Sequence, residues 1–153
     1  MAAESRPPPG EFAGSADLPS RTVFFDGVCN FCDRSVQWLL AHDASGALHF
    51  AALQGSTAEE LRARLDGFPN DQDGIVYLDS SGPSPVILRE SSAIFALLDL
   101  LDPPARRWRF LRFLPRPLTD LGYRLFARLR YRLFGRRDSC VVPSPEERAR
   151  FLP

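Results

Sequence analysis

Hydrophobic residues along this chain fall into short runs divided by polar, glycine and proline breaks, and the spacing within each run predicts the element it forms. Thr22-Val23-Phe24-Phe25 is a short apolar run that reads as a first strand, followed by the turn residues Asp26-Gly27-Val28. Phe31–His42 carries apolar positions at helical spacing and reads as a helix. Leu48-His49-Phe50-Ala51-Ala52 is a second strand after the Ser45-Gly46 break. Thr57 to Leu65 predicts a short helix, with Ser56-Thr57-Ala58-Glu59 in the pattern of a capping box and Gly67 and Pro69 beyond its end. Ile75-Val76-Tyr77-Leu78 and Val86-Ile87-Leu88 flank a Ser80-Ser81-Gly82-Pro83 turn and read as an antiparallel hairpin. Ser91–Leu101 is a strongly apolar helix that stops at Asp102-Pro103-Pro104.

The order β-α-β-α-β-β-α, without internal repeat, predicts an α/β fold with a central mixed sheet covered by helices. This is the order of a thioredoxin-like domain, here spanning residues 21–102. Residues 103–153 read as a basic helical extension that packs on the same domain. Within it, Arg106–Leu114 predicts one short helix, cut by Pro115 and Pro117, and Leu118–Phe134 a second, about 26 Å long. Gly135 is placed to stop it. Leu118, Leu121, Leu125, Phe126 and Leu129 share an apolar side of that helix, and Arg124, Arg128 and Arg132 share another. The expectation is a helix that packs its Leu and Phe side on the sheet and turns its arginines outward. Residues 1–20, rich in Pro, Ala, Ser and Gly, read as a disordered leader.

The sharpest chemical signal is Cys29-Asn30-Phe31-Cys32, set between the first strand and the first helix. A thiol at a helix N-terminus meets unpaired N–H groups and the positive end of the helix dipole, which favour the thiolate. The thiolate is the form that attacks disulfides. Residues three apart at a helix start face the same side, so Cys32 can reach the sulfur of Cys29. Asp26 precedes Cys29 by three residues. A carboxylate there can shuttle the proton when Cys32 attacks or leaves, or it can simply shape an Asx turn between strand and helix. Cys140, beside Arg136 and Arg137, reads as a loop or buried cysteine, the alternative being a third redox thiol activated by those arginines. Trp38 reads as a core residue, and Val28 and Phe31 as an apolar surface beside the thiols. Zinc would require ligands beyond the single Cys-x-x-Cys pair. Cys140, His42 and His49 are the candidates, and none stands at ligand spacing.

Composition narrows the class further. The chain has 153 residues, 44% of them hydrophobic, enough for one domain with a sizeable core. No apolar run has the length of a membrane span. The first 20 residues lack the basic start and apolar stretch of a secretory signal, so the expected compartment is cytoplasmic, where structural disulfides are rare. The net charge of zero conceals a polarity. Residues 1–102 hold 6 Arg and 15 acidic residues, whereas residues 103–153 hold 13 Arg and 4 acidic residues. Either the basic region docks on the acidic body or it meets an anionic partner. Nucleic acid is not expected, and membrane contact through residues 106–134 is left open.

At this point the chain resembles the DCC family of thiol–disulfide oxidoreductases. The resemblance runs through Phe24-Phe25-Asp26-Gly27-Val28-Cys29-Asn30-Phe31-Cys32, Ser35-Val36, Phe50-Ala51-Ala52-Leu53-Gln54 and Ser92-Ala93. It continues through Pro115-Arg116-Pro117-Leu118, Arg130-Tyr131-Arg132-Leu133-Phe134-Gly135, Asp138 and Cys140. It implies a thioredoxin-like fold, with Cys29 and Cys32 as the redox pair and Asp26 as their companion. No dissociable cofactor is implied, and the partner is a protein or small-molecule thiol or disulfide. Thioredoxins carry a cis-proline before the strand facing the Cys-x-x-Cys pair, where this chain has Asp73-Gly74. The alternative from another class is a non-catalytic binding module that keeps the fold and uses the cysteines for metal or structure.

Overall fold

A computed structural model of the chain describes residues 18–71, 74–136 and 143–153. Along β1 (Arg21–Phe25) successive side chains enter opposite layers: Val23 and Phe25 join one apolar cluster and Phe24 the other. A strand buried on both faces belongs inside a covered sheet. β1 is accordingly the central strand of five. It pairs in parallel with β2 (His49–Ala52) and antiparallel with β3 (Ile75–Asp79). β3 continues antiparallel to β4 (Val86–Arg89), and β5 (Phe151–Leu152) adds in parallel to the far edge of β2. The resulting order is β4-β3-β1-β2-β5.

Helices cover both faces. α1 (Asn30–His42) and α3 (Glu90–Leu100) place Val36, Leu39, Ala93, Leu97 and Leu98 against Val23, Phe50 and Tyr77. α2 (Ser56–Arg64) sets Ala58 and Leu61 against Phe24, Ala51, Val76 and Leu78 on the opposite face. Burying a side chain such as Phe24 contributes about 2–3 kcal/mol. This is the α/β, thioredoxin-like arrangement that the hydrophobic pattern predicts, with element ends displaced by a residue or two.

Four features depart from the expectations. β5 is only two residues long and carried no strand signal of its own. The expected helix over 106–114 is instead α4 (Pro103–Arg106) followed by a 3-10 segment, Arg107–Phe113. Pro103 and Pro104 open α4, since proline fits the first turn of a helix, where its missing N–H has no partner to lose. α2 does not use the expected capping box. Its N-cap is Gly55, and the free Thr57 N–H donates to the Pro153 carbonyl at 2.9 Å. A Cβ on Gly55 would meet that carbonyl oxygen at 3.0 Å, so the close approach needs glycine.

The fourth departure is the orientation of α5 (Arg116–Phe134). The helix exists as expected, but Leu118, Leu121, Leu125 and Leu129 are exposed. The inward side is formed by other residues. Phe126 packs edge-on against Phe31 of α1 at 4.6 Å, Asp120 accepts a hydrogen bond from Ser91 of α3, and Arg130 is buried. The segments 1–17, 72–73 and 137–142 lie outside the described residues, and with them most of the expected leader, Asp73 and Cys140.

Candidate active site

The turn after β1 is built around one buried carboxylate. Asp26 is fully buried, and its Oδ1 accepts the Val28 N–H at 3.1 Å, closing an Asx turn. The same oxygen accepts from Gln54 Nε2 at 2.9 Å, while Gln54 Oε1 accepts the Gly27 N–H at 2.9 Å. The Asp26 carbonyl accepts the Cys29 N–H at 3.2 Å. Cys29 is thereby delivered to the N-cap of α1 in an extended conformation, φ −94° and ψ 120°. Its Sγ accepts the Cys32 N–H at 3.4 Å, the role an oxygen of Ser or Asp fills at most helix starts. Both cysteines are free thiols and buried, Cys29 at 1% exposure and Cys32 at 7%.

α5 completes the site from the opposite side. Arg130, 2% exposed, donates from Nη2 to Asp26 Oδ2 at 3.1 Å. Its Nη1 points at Cys32 Sγ, 3.8 Å away. The Tyr131 hydroxyl donates to the same Asp26 oxygen and accepts from Arg130 at 3.2 Å. Four donors from three segments thus converge on Asp26, and one guanidinium spans carboxylate and sulfur. Burial pushes the Cys32 thiol strongly upward, and its hydrogen bond to Cys29 and the Cys29 charge push the same way. The Arg130 charge pulls it down and Asp26 adds a smaller upward push, so at neutral pH Cys32 holds its proton.

The end of α5 also covers Cys29. Arg136 forms an isolated antiparallel bridge with Cys29, and Asn30 Nδ2 donates to the Phe134 carbonyl at 2.8 Å. Between them Gly135 turns with φ +79°, and the Arg136 guanidinium lies over the Tyr131 ring at 4.7 Å. Beside Cys32, a largely apolar cavity of about 550 Å³ is lined by Phe31, Cys32, Trp38, Ile94, Phe126 and Arg130 among others. At its edge sits Gly74, with φ +89°. A Cβ there would stand 2.7 Å from the Tyr123 hydroxyl, which accepts the Ile75 N–H at 3.0 Å. No cis peptide occurs among the described residues.

The matched motifs and this geometry meet in the comparisons with known proteins. Residues 23–136 match the model of the DCC1-like thiol-disulfide oxidoreductase family. The chain belongs to the DCC family. It is 35% identical over 140 residues to YuxK of Bacillus subtilis (strain 168), covering 91% of this chain and 98% of that protein. It is 32% identical over 121 residues to the DCC family protein At1g52590, chloroplastic, of Arabidopsis thaliana, covering 78% of this chain and 68% of that protein. No solved structure matches it significantly.

Within this DCC chain, the sequence-predicted Asp26, Cys29 and Cys32 do come together. Phe31 stands beside them against Phe126 and Phe134. Trp38 is not core: it is 39% exposed at the cavity rim, with its ring 4.5 Å from that of His42. Its ring lies against His42 on a side of α1 that borders the cavity, so helical spacing alone does not make it a core residue. His42 ends α1 and His49 begins β2, and the described residues hold no cluster of three or more metal-ligating side chains. Cys140 lies outside the described residues. Gln54, Arg130 and Tyr131 stand in the motifs that carry the family resemblance but are given no site role by the sequence, and Tyr123 stands in none of them. Tyr123, Phe126, Ala127, Arg130 and Phe134 recur at helical spacing, so the aromatic positions rather than the leucines marked the inward side.

Proposed function

We infer that the chain is a dithiol–disulfide oxidoreductase acting through Cys29 and Cys32. The observation that carries this reading is the pair itself: two free thiols on the first turn of α1, with Cys29 Sγ at the N-cap accepting the Cys32 N–H. Membership of the DCC1-like thiol-disulfide oxidoreductase family supports it. In the proposed cycle the Cys29 thiolate attacks one sulfur of a substrate disulfide, forming a mixed disulfide and releasing the first substrate thiolate. Cys32 then loses its proton and attacks the Cys29 sulfur, which releases the second substrate thiolate. The pair, starting as Cys29 thiolate and Cys32 thiol, has given up two electrons to the two released substrate sulfurs and one proton to solvent or a released thiolate, and is left as a disulfide.

Arg130 is the residue best placed to assist the second step, because its Nη1 faces the Cys32 sulfur as negative charge develops there. Asp26 is proposed as a positioning residue. Its carboxylate oxygens already accept from Val28, Gln54, Arg130 and Tyr131, an arrangement suited to holding the guanidinium in place rather than to carrying a proton. Cys29 lies beneath the Phe134–Arg136 turn, so a protein disulfide requires that turn to lift. Glutathione disulfide is the probe that tests the order of attack. The Cys32→Ser variant should accumulate one glutathione on Cys29, read by intact mass and peptide mapping. Glutathione on Cys32 of a Cys29→Ser variant, with none on Cys29 of the Cys32→Ser variant, would reverse the assignment.

A further inference from the structure

α5 presents an unpartnered apolar stripe to solvent. Leu118, Leu121, Leu125, Leu129 and Leu133 are each 39–66% exposed and follow one another at three- or four-residue steps. They therefore line one side of a 19-residue helix about 28 Å long. The preceding 3-10 segment adds Trp108, Phe110 and Phe113, the last 91% exposed. An exposed apolar surface of this extent on a folded protein marks an interaction site.

The charge around the stripe identifies the kind of partner. Arg109 and Arg112 are paired with Asp99, Arg124 with Glu90, and Arg130 is committed to the buried site. Arg106, Arg107, Arg116, Arg128 and Arg132 are exposed and, among the described residues, have no carboxylate partner. From Pro103 to Arg137 the sequence holds 11 arginines and one acidic residue, Asp120, whose carboxylate accepts from Ser91. Leucines and aromatics flanked by free arginines are the composition of a helix lying in the plane of an anionic bilayer surface. A second copy packed stripe to stripe would oppose arginine to arginine. Nucleic acid would engage the arginines and leave the leucines in water. No described helix is long and apolar enough to cross a membrane, so the contact is with a surface.

We propose that the outer face of α5, with the 107–113 segment, docks this protein on an anionic lipid surface. This is independent of the redox chemistry and survives if that reading fails. The test is co-sedimentation of the full chain with vesicles of phosphatidylcholine alone and of phosphatidylcholine mixed with phosphatidylglycerol. The protein should sediment with the mixed vesicles only and be released by salt. Leu121→Asp with Leu125→Asp should lower the bound fraction about tenfold or more, because apolar insertion is lost. The milder Leu121→Gln with Leu125→Gln should follow the same trend with an unchanged circular dichroism spectrum. Arg128→Gln and Arg132→Gln should each weaken binding about fivefold. No binding to the mixed vesicles, equal binding to both kinds, or binding untouched by the leucine substitutions would overturn the proposal. Retention of duplex DNA without vesicle binding would assign the face to nucleic acid instead. Self-association abolished by the leucine substitutions, without vesicle binding, would assign it to a second copy.

Discussion

The two ends of α1 are held by the same device, put to different uses. At each end a buried aspartate accepts turn N–H groups and an arginine supplied from the C-terminal part of the chain. At the far end, Asp43 is the C-cap. It accepts from Ser45 Oγ at 2.6 Å, from the Leu48 N–H at 2.9 Å, and from Arg150. The Nε of Arg150 donates to the Leu48 carbonyl at 2.9 Å, so its second contact is backbone and the clasp ties β5 to the sheet edge. At the near end, the second contact of Arg130 is the Cys32 sulfur at 3.8 Å. An aspartate–arginine pair therefore does not reveal its role by its existence. What the remaining guanidinium nitrogen touches decides whether it is a backbone clasp or a contact to the candidate cysteine pair.

The comparison breaks first at the arginines. Arg130→Ala leaves the fully buried Asp26 carboxylate without its cation and should destabilise the fold by about 3–5 kcal/mol, measured by chemical denaturation. Arg150→Ala, at a more exposed pair, should cost about 1–3 kcal/mol and leave the Cys29–Cys32 reduction potential unchanged. Equal costs, or a potential shifted by Arg150→Ala, would erase the distinction between the two ends.

Titration sharpens it next. Because Cys32 is raised, its alkylation rate should stay low through pH 9.0, the ordinary thiol value, and rise only above it. Removing the Arg130 charge by Arg130→Gln should move that rise to still higher pH, whereas Arg150→Gln should not. Asp43 shifts the other way. Burial opposes its charged form, but the Ser45 and Leu48 hydrogen bonds and Arg150 outweigh it and lower its pKa from 3.8. Its contribution is therefore complete above the unfolded value and is lost as pH falls through the lower folded value. Asp43→Asn should flatten the acid limb of the stability profile.

The smallest effect concerns the cover over Cys29. Asn30→Ala removes the 2.8 Å bond to the Phe134 carbonyl, an exposed contact contributing about 1 kcal/mol or less. Cys29 alkylation should quicken several-fold with little change in stability. An unchanged rate would mean that the Gly135–Arg136 turn opens without regard to Asn30.

Much of this was legible in the chain. β1, α1, β2, α2, the β3–β4 hairpin and α3 follow from apolar runs and their breaks, because burial against the sheet imposes that spacing. The cysteines announced themselves through their place between strand and helix. The partners of Asp26 did not, because Gln54, Arg130 and Tyr131 lie 28, 104 and 105 residues away, and no local pattern encodes a contact at that separation. α5 misled for a physical reason. Its leucines are the obvious apolar side, yet the cavity and the buried ion pair select Phe126 and Arg130 as the inward face. β5 is two residues held by pairing to β2, too short to carry a periodic signal of its own.

The most direct test of the central claim is a redox titration of the Cys29–Cys32 pair in a Cys140→Ser background, read by mass-shift alkylation across a dithiothreitol or glutathione series. The site predicts a single two-electron transition in which both thiols disappear together and a Cys29–Cys32 disulfide forms. A midpoint of about −270 mV would make the protein a reductant, and one of about −120 mV an oxidant. If both cysteines remain alkylatable at every poise, no redox pair exists and the oxidoreductase reading is contradicted.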